Sequence, residues 1–160
     1  GQGLKDWVQW FRGHQPREVW ASHGAWIERV KPRFAPDIQS RLNLARQLSA
    51  IPIAGEDGLR DRVIAAMDKL LDGAVIAVPT VPCIAPLTDA APEVFTDLRD
   101  RILGLTIIAG LARLPQVQIP IGRAGDEQGD APIGLSLIGR HGSDRVLLKL
   151  AEAAAARLGV

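Results

Sequence analysis

The sequence predicts an α/β fold, and three observations carry that expectation. The first 72 residues repeat apolar side chains at helical spacing, and after Gly73 the period changes to a short run, Ala74 to Val78, of small and β-branched residues. Two further strand-like segments, Gln116 to Ile121 and Pro132 to Ile138, then lie between a glycine-spaced apolar helix and an alanine-rich one.

Taken in order, Leu4, Trp7, Val8 and Phe11 form a helical stripe that is expected to end near Gly13. Pro16, harmless at a first helical position, is expected to open a second helix with Val19, His23, Ile27 and Val30 on its apolar face, stopped by Pro32. A third pattern, Ile38, Leu42, Ala45 and Leu48, runs from about Pro36 to the Ile51-Pro52 break. A fourth runs Leu59, Val63, Met67, Leu70 and Leu71, with Glu56 and Asp57 complementing the helix dipole at its start and Gly73 capping its end.

The run Ala74 to Val78 reads as a strand buried on both faces. Pro79, Pro82, Pro86 and Pro92 then impose an extended, rigid path, a common setting for binding loops. Thr96 is the expected cap of a helix carrying Leu98, Ile102, Leu105, Ala109 and Ala112. Gly104 and Gly110 inside it each cost about 1 kcal/mol relative to Ala, which predicts close approach of another backbone. Gln116 to Ile121 and Pro132 to Ile138 read as interior strands joined by a solvated loop, GRAGDEQGDA. Ser143 or Asp144 should cap the last helix, with Val146, Leu147, Leu150, Ala151, Ala154 and Leu158 on one face. Three strands make a small sheet for so much helix, so strands from outside the chain are expected to complete it.

Composition narrows the function. With 160 residues, 47% hydrophobic and 23% charged, the chain is globular and large enough to bury a core. A net charge of +1 provides no electrostatic footprint for nucleic acid or an anionic membrane, and neither is expected as a partner. One cysteine, Cys83, makes no internal disulfide and indicates a reducing compartment. No apolar run approaches the roughly 18 residues of a membrane span, and GQGLKDWVQW lacks the shape of a signal peptide. The expected location is the cytoplasm.

The residues offer little chemistry of their own. Ser22, Ser40, Ser49, Ser136 and Ser143 lie in no G-x-S-x-G elbow and no Gly/Ser-rich loop, which makes them poor nucleophiles. Cys83, between Pro82 and Ile84, reads as a small packing residue rather than a reactive thiol. His23 reads as a core histidine bonded to a backbone carbonyl, His14 as a surface residue in a turn, and His141 as part of the capping chemistry of the last helix. Three isolated histidines without HxxH, HExxH or a Cys partner predict no metal site. The tryptophans of the first helices read as core.

Three blocks carry a resemblance. VPTVPCIAP at Val78 to Pro86, AGLARLPQVQIPIG from Ala109, and PIGLSLIGRHGSDRVLL from Pro132 resemble, in order and spacing, the C-terminal part of the amidase signature family. HGAWI at His23 to Ile27 is similar to amidases related to indoleacetamide hydrolases. The resemblance implies the C-terminal portion of an α/β/α fold, a mixed sheet with helices on both faces, in which residues 1–72 are a helical segment covering the core and residues 73–160 complete the sheet. It further implies hydrolysis of the C–N bond of a small carboxamide, an aryl-acetamide among the candidates, by a Ser, cis-Ser, Lys triad.

That triad is not expected in this chain. Neither the glycine-serine signature nor its lysine matches Lys5, Lys31, Lys69 or Lys149, so no catalytic residue is assigned and the chain alone is expected to be inactive. The partner implied is an N-terminal amidase segment carrying the triad, besides the small amide substrate, with no cofactor. The resemblance places Thr80, Pro82, Cys83, Leu105, Thr106 and Ala109 along the substrate pocket. Arg113 and Gln118 stand where family members more often have a glycine and a small residue. The alternatives are a noncatalytic binding module with this fold and the amidase-like subunit of a tRNA amidotransferase. Apolar strands left without neighbours predict a homo-oligomer or aggregation of the isolated chain.

Overall fold

The computed structural model describes residues 3–53, 58–126 and 129–160. The chain divides into two compact units, Gly1–Asp57 and Gly58–Val160.

The first unit is built from α1 (Leu4–Val30) and α2 (Pro36–Ser49), which pack on each other. At the start of α1 the Asp6 carboxylate accepts from the Gly3 amide at 2.9 Å, a local closure of the first turn. The expected break between Gly13 and Pro16 does not occur, and α1 runs straight through Pro16. A proline inside a helix removes one rung, at a cost of about 3 kcal/mol, and side-chain donors gather on the same turns. His14 Nδ1 donates to the Trp10 carbonyl at 2.8 Å with its ring stacked on Trp10, and the Arg17 guanidinium donates to the Gly13 carbonyl. His14 is therefore a half-buried helical residue and not a turn residue.

The buried residue of α1 is Gly24, not the predicted His23, which is exposed. The indole of Trp20 lies across Gly24, where an added Cβ would come within 2.7 Å of Trp20 Cε2. Arg46 of α2 sits 5.8 Å over that ring and pairs with Glu28 at 3.2 Å. Trp7, Trp10 and Trp20 are half-buried, whereas Trp26 is 44% exposed and meets only the edge of Phe34 among the ring contacts of the described residues.

The second unit contains α3 (Leu59–Leu70), β1 (Ile76–Pro79), α4 (Pro92–Ala112), β2 (Gln116–Asp126), β3 (Gly129–Ile138) and α5 (Asp144–Leu158). Helix α3 buries Leu59, Val63 and Met67, one residue per turn, and packs on α4. The expected placement of Glu56 and Asp57 at its start lies outside the described residues. Gly73, at φ +72, turns the chain after it.

The sheet order is β1-β3-β2, with both ladders antiparallel. Neither β1 nor β2 is thus an interior strand among the described residues; β3 is. The β1 strand is half-buried in alternation rather than buried on both faces. Register puts Val117 and Ile119 beside Leu137 and Leu135 on one face, and α5 covers it with Leu147 and Ala151. Ser136 and Ile138 point to the other face and have no exposed surface, so that face is covered too. The result is an α/β arrangement whose small sheet is buried on both faces at the Ser136–Ile138 end of β3 and open toward Gln118 and Pro120.

Three further expectations are corrected. Helix α4 begins at Pro92, which fits a first helical position because its missing N–H has no helical partner there. Thr96 consequently lies inside the helix and donates back to the Pro92 carbonyl at 3.3 Å instead of capping. Gly104 and Gly110 face open space, and no backbone approaches them among the described residues. Within the expected loop, residues 122–126 and 129–131 belong to β2 and β3: the ladder resumes after a bulge between Pro120 and Gly122, and Arg123 Nε donates to Asp130 Oδ2 at 2.7 Å across it.

The end of β3 is a junction. Arg140 holds Asp68 of α3 through two hydrogen bonds, 2.7 and 3.0 Å, and Asp72 through a third at 3.3 Å. Its neighbour His141 donates from Nδ1 to the Arg113 carbonyl at the end of α4, 2.8 Å away. Ser143 occupies the N-cap of α5, but its hydroxyl donates to the Arg140 carbonyl at 2.6 Å rather than capping an amide. The hydrogen bonds from Arg140, with its charge and that of His141, lower the Asp68 pKa.

This packing sets two expected outcomes. Arg113 adopts the left-handed conformation at φ +56, the backbone position that favours glycine, and Arg113→Gly should stabilise the protein by about 0.5–1 kcal/mol, read as a rise in Tm. A lowered carboxyl pKa contributes stability above the unfolded value of about 3.9 and loses it as pH falls through the folded one. Asp68→Asn should therefore lower the urea midpoint at pH 7, with the gap to the unsubstituted protein closing on acidification. A gap that stays constant down to about pH 2 would show that ionised Asp68 contributes nothing.

Candidate functional site

Thr80 leaves the end of β1, and its amide donates to the Gly134 carbonyl at 3.1 Å, extending the β1–β3 register by one step. Its side chain therefore falls on the same face as Val78 and Ser136. Thr80 Oγ1 and Ser136 Oγ are 2.9 Å apart, and Gln116 Nε2 donates to Ser136 Oγ at 2.8 Å. One strand from each edge thus meets the central strand at a single buried hydroxyl. A serine hydroxyl with no exposed surface must be hydrogen-bonded, and this one is.

Gln118 adds a second carboxamide on that face. Its side chain lies over Gly134, where an added Cβ would be 2.4 Å from Gln118 Nε2 and 2.8 Å from Cγ. The absence of a side chain at Gly134 is what gives Gln118 this position. Thr80, Ser136, Gln116 and Gln118 together form a row of uncharged donors and acceptors beside the proline-rich loop. Such a row suits recognition of a neutral polar group and supplies no nucleophile–base pair of its own.

The six predicted pocket residues fall in two groups. Thr80, Pro82 and Cys83 lie on the loop after β1, with Thr80 and Pro82 half-buried and Cys83 exposed. Leu105 and Thr106 are half-buried on α4 and Ala109 is buried there. The Thr106 hydroxyl is engaged by the Ile102 carbonyl, 3.1 Å away in its own helix. Of the six, Thr80 is the one hydrogen-bonded into the sheet among the described residues. None of them lines the groove of about 420 Å³ formed by Leu71, Val75, Arg140, Val146 and Leu150. Sequence reasoning does not reach Ser136 and Gln116 as site residues. The alternation in Leu135-Ser136-Leu137 is the available signal, because it turns the serine away from both leucines.

Among the described residues no group of three His, Cys, Asp or Glu side chains is placed to hold a metal ion, and no helix is long and apolar enough to cross a membrane.

Fold and site define an α/β segment that presents hydroxyl and carboxamide groups at the end of a small sheet. The chain belongs to the amidase family, whose sequence pattern it matches over residues 30–148. It is 35% identical over 143 residues to Amidase 1 of Arabidopsis thaliana, covering 89% of this chain and 33% of that protein. Amidase 1 of Oryza sativa subsp. japonica is 33% identical over 148 residues, covering 88% of this chain and 32% of the relative. The chloroplastic outer envelope protein 64 of Arabidopsis thaliana is 32% identical over 135 residues, covering 84% of this chain and 22% of that protein. The chain thus spans about a third of the length of the two Amidase 1 relatives.

Removing the Ser136 hydroxyl leaves the Gln116 donor and Thr80 without their shared partner, and Ser136→Ala should destabilise the protein by about 1–3 kcal/mol. Thr80→Val, at a half-buried position, should cost less. Equilibrium urea unfolding of the two variants checks the order.

Proposed function

We propose that this chain is the portion of an amidase that completes the sheet and one wall of the substrate pocket, while a Ser, cis-Ser, Lys triad is supplied by residues outside it. The carrying observation is the family match over residues 30–148, which includes the loop of Thr80 and the strands of Gln116 and Ser136. The reaction is hydrolysis of the C–N bond of a small carboxamide, and an aryl-acetamide is the first substrate to try. The uncharged row of Thr80, Gln116, Gln118 and Ser136 supports a neutral amide over a charged substrate. Residues 73–160 are the sheet-completing part.

A second reading, a noncatalytic interaction module, is favoured by the similarity to a protein named for the chloroplast outer envelope, at 32% identity against 35% for Amidase 1. The tRNA amidotransferase reading has weaker support: a mitochondrial glutamyl-tRNA(Gln) amidotransferase subunit of Emericella nidulans is 29% identical over 43% of this chain.

Ammonia release from a panel of aryl-acetamides by the whole protein separates the readings. Turnover that disappears when residues 75–140 are deleted is the outcome expected of the amidase. Carboxamide binding with no turnover by the intact protein would favour the interaction module, and activity surviving the deletion would sink the pocket-wall assignment.

A further inference from the structure

The hydrogen-bond polarity of the Gln116–Ser136–Thr80 chain can be worked out by counting protons. A carboxamide nitrogen only donates, so Ser136 Oγ accepts from Gln116 Nε2 at 2.8 Å. The Ser136 proton then needs an acceptor in a place without solvent, since the residue has no exposed surface. Thr80 Oγ1, at 2.9 Å, is the acceptor at hand. Were Thr80 the donor instead, the Ser136 proton would be buried with nothing to receive it, which is strongly unfavourable. Thr80 Oγ1 therefore accepts from the sheet side. Its own proton is left to point away from Ser136, from a half-buried position on the loop. The Thr80 amide is already engaged by the Gly134 carbonyl, which fixes the backbone that carries this donor.

We propose that Gln116 and Ser136 are positioning residues that make Thr80 an obligate hydrogen-bond donor to the carbonyl oxygen of the carboxamide ligand. This rests on the amidase reading for the ligand class, while the polarity argument rests on the sheet alone. A donor of fixed polarity favours an oxygen acceptor over an amide N–H, and it favours oxygen over sulfur, a weaker acceptor. Gln116 controls the direction from the far edge of the sheet. Replacing it by glutamate supplies only acceptors, turns the Ser136 proton toward residue 116 and leaves Thr80 to donate inward.

The test compares an aryl-acetamide with the corresponding thioamide on the whole protein, reading KM and kcat where there is turnover and Kd by calorimetry in any case. In Gln116→Glu and Thr80→Val the carboxamide KM or Kd should rise about tenfold, with a change of less than about twofold for the thioamide. Thr80→Ser should restore the preference for oxygen. Gln116→Met, which removes the donor without supplying an oxygen acceptor, leaves the Ser136 proton on Thr80 and should keep the oxygen preference, so it serves as the control for Gln116→Glu. Equal changes for both ligands in Gln116→Glu or Thr80→Val, an oxygen preference unchanged in either, or its loss in Gln116→Met would overturn the relay. Binding without turnover by the unsubstituted protein would overturn the amidase reading while the Kd ratios still decide the relay; absence of both binding and turnover would overturn both.

Discussion

Strand β3 carries the constraint on which the second unit depends. It must satisfy backbone donors and acceptors along both edges and bury side chains on both faces, because β1 and β2 flank it and Ser136, Leu137 and Ile138 are all buried. A one-residue slip would exchange Leu137 for Ser136 against α5 and put a hydroxyl into an apolar contact. The pairing of Val117 with Leu137 and Ile119 with Leu135 holds the apolar register, while Gln116 and Thr80 reward the polar one. Packing and hydrogen bonding therefore select the same alignment.

The same strand also sets where the helices attach. Immediately after Ile138, the Gly139 amide bonds to the Pro115 carbonyl at 3.1 Å, and Arg140 and His141 reach α3 and the end of α4. Gly139 must lack a side chain, because an added Cβ would lie 2.6 Å from Ser143 Oγ and 3.1 Å from Leu147 Cδ1 at the start of α5. Exposed ion pairs contribute little individually. Here their effect is geometric, since one residue, Arg140, meets two acidic residues a helical turn apart at the close of α3.

The helices and the strand positions were legible because their apolar periods are local properties of the sequence. What was not legible depended on neighbours. Pro16 reads as a helix start until the donors of His14 and Arg17 are seen on its turns, and Pro92 reads as a breaker until it is found at the first helical position. The hairpin arms beyond Ile121 have loop composition, and only the ladder opposite Asp130 to Pro132 makes them strands. His23 misled because three apolar residues at helical spacing, Val19, Ile27 and Val30, define a stripe only within some tens of degrees, and the buried line passes through Gly24 instead. For the site, the resemblance pointed to Thr80, but the partners that give its hydroxyl a direction come from 36 and 56 residues further along the chain, as read from the Thr80–Gln116 and Thr80–Ser136 separations.

Arg113 and Gln118, flanking the junction and the site, have distinct physical meanings. Arg113 sits in a left-handed backbone conformation that glycine would adopt without strain, so its arginine is a local cost at the close of α4. Its carbonyl nevertheless receives His141, so the conformation is used whichever side chain is present. Gln118 is different, for its side chain fills the space over Gly134, the residue whose carbonyl holds the Thr80 amide. A small residue there would leave that space open. Arg113 bears on stability and leaves the site geometry alone, whereas Gln118 sets the shape and polarity of the surface beside Thr80, because its carboxamide occupies the space that a side chain at Gly134 would need.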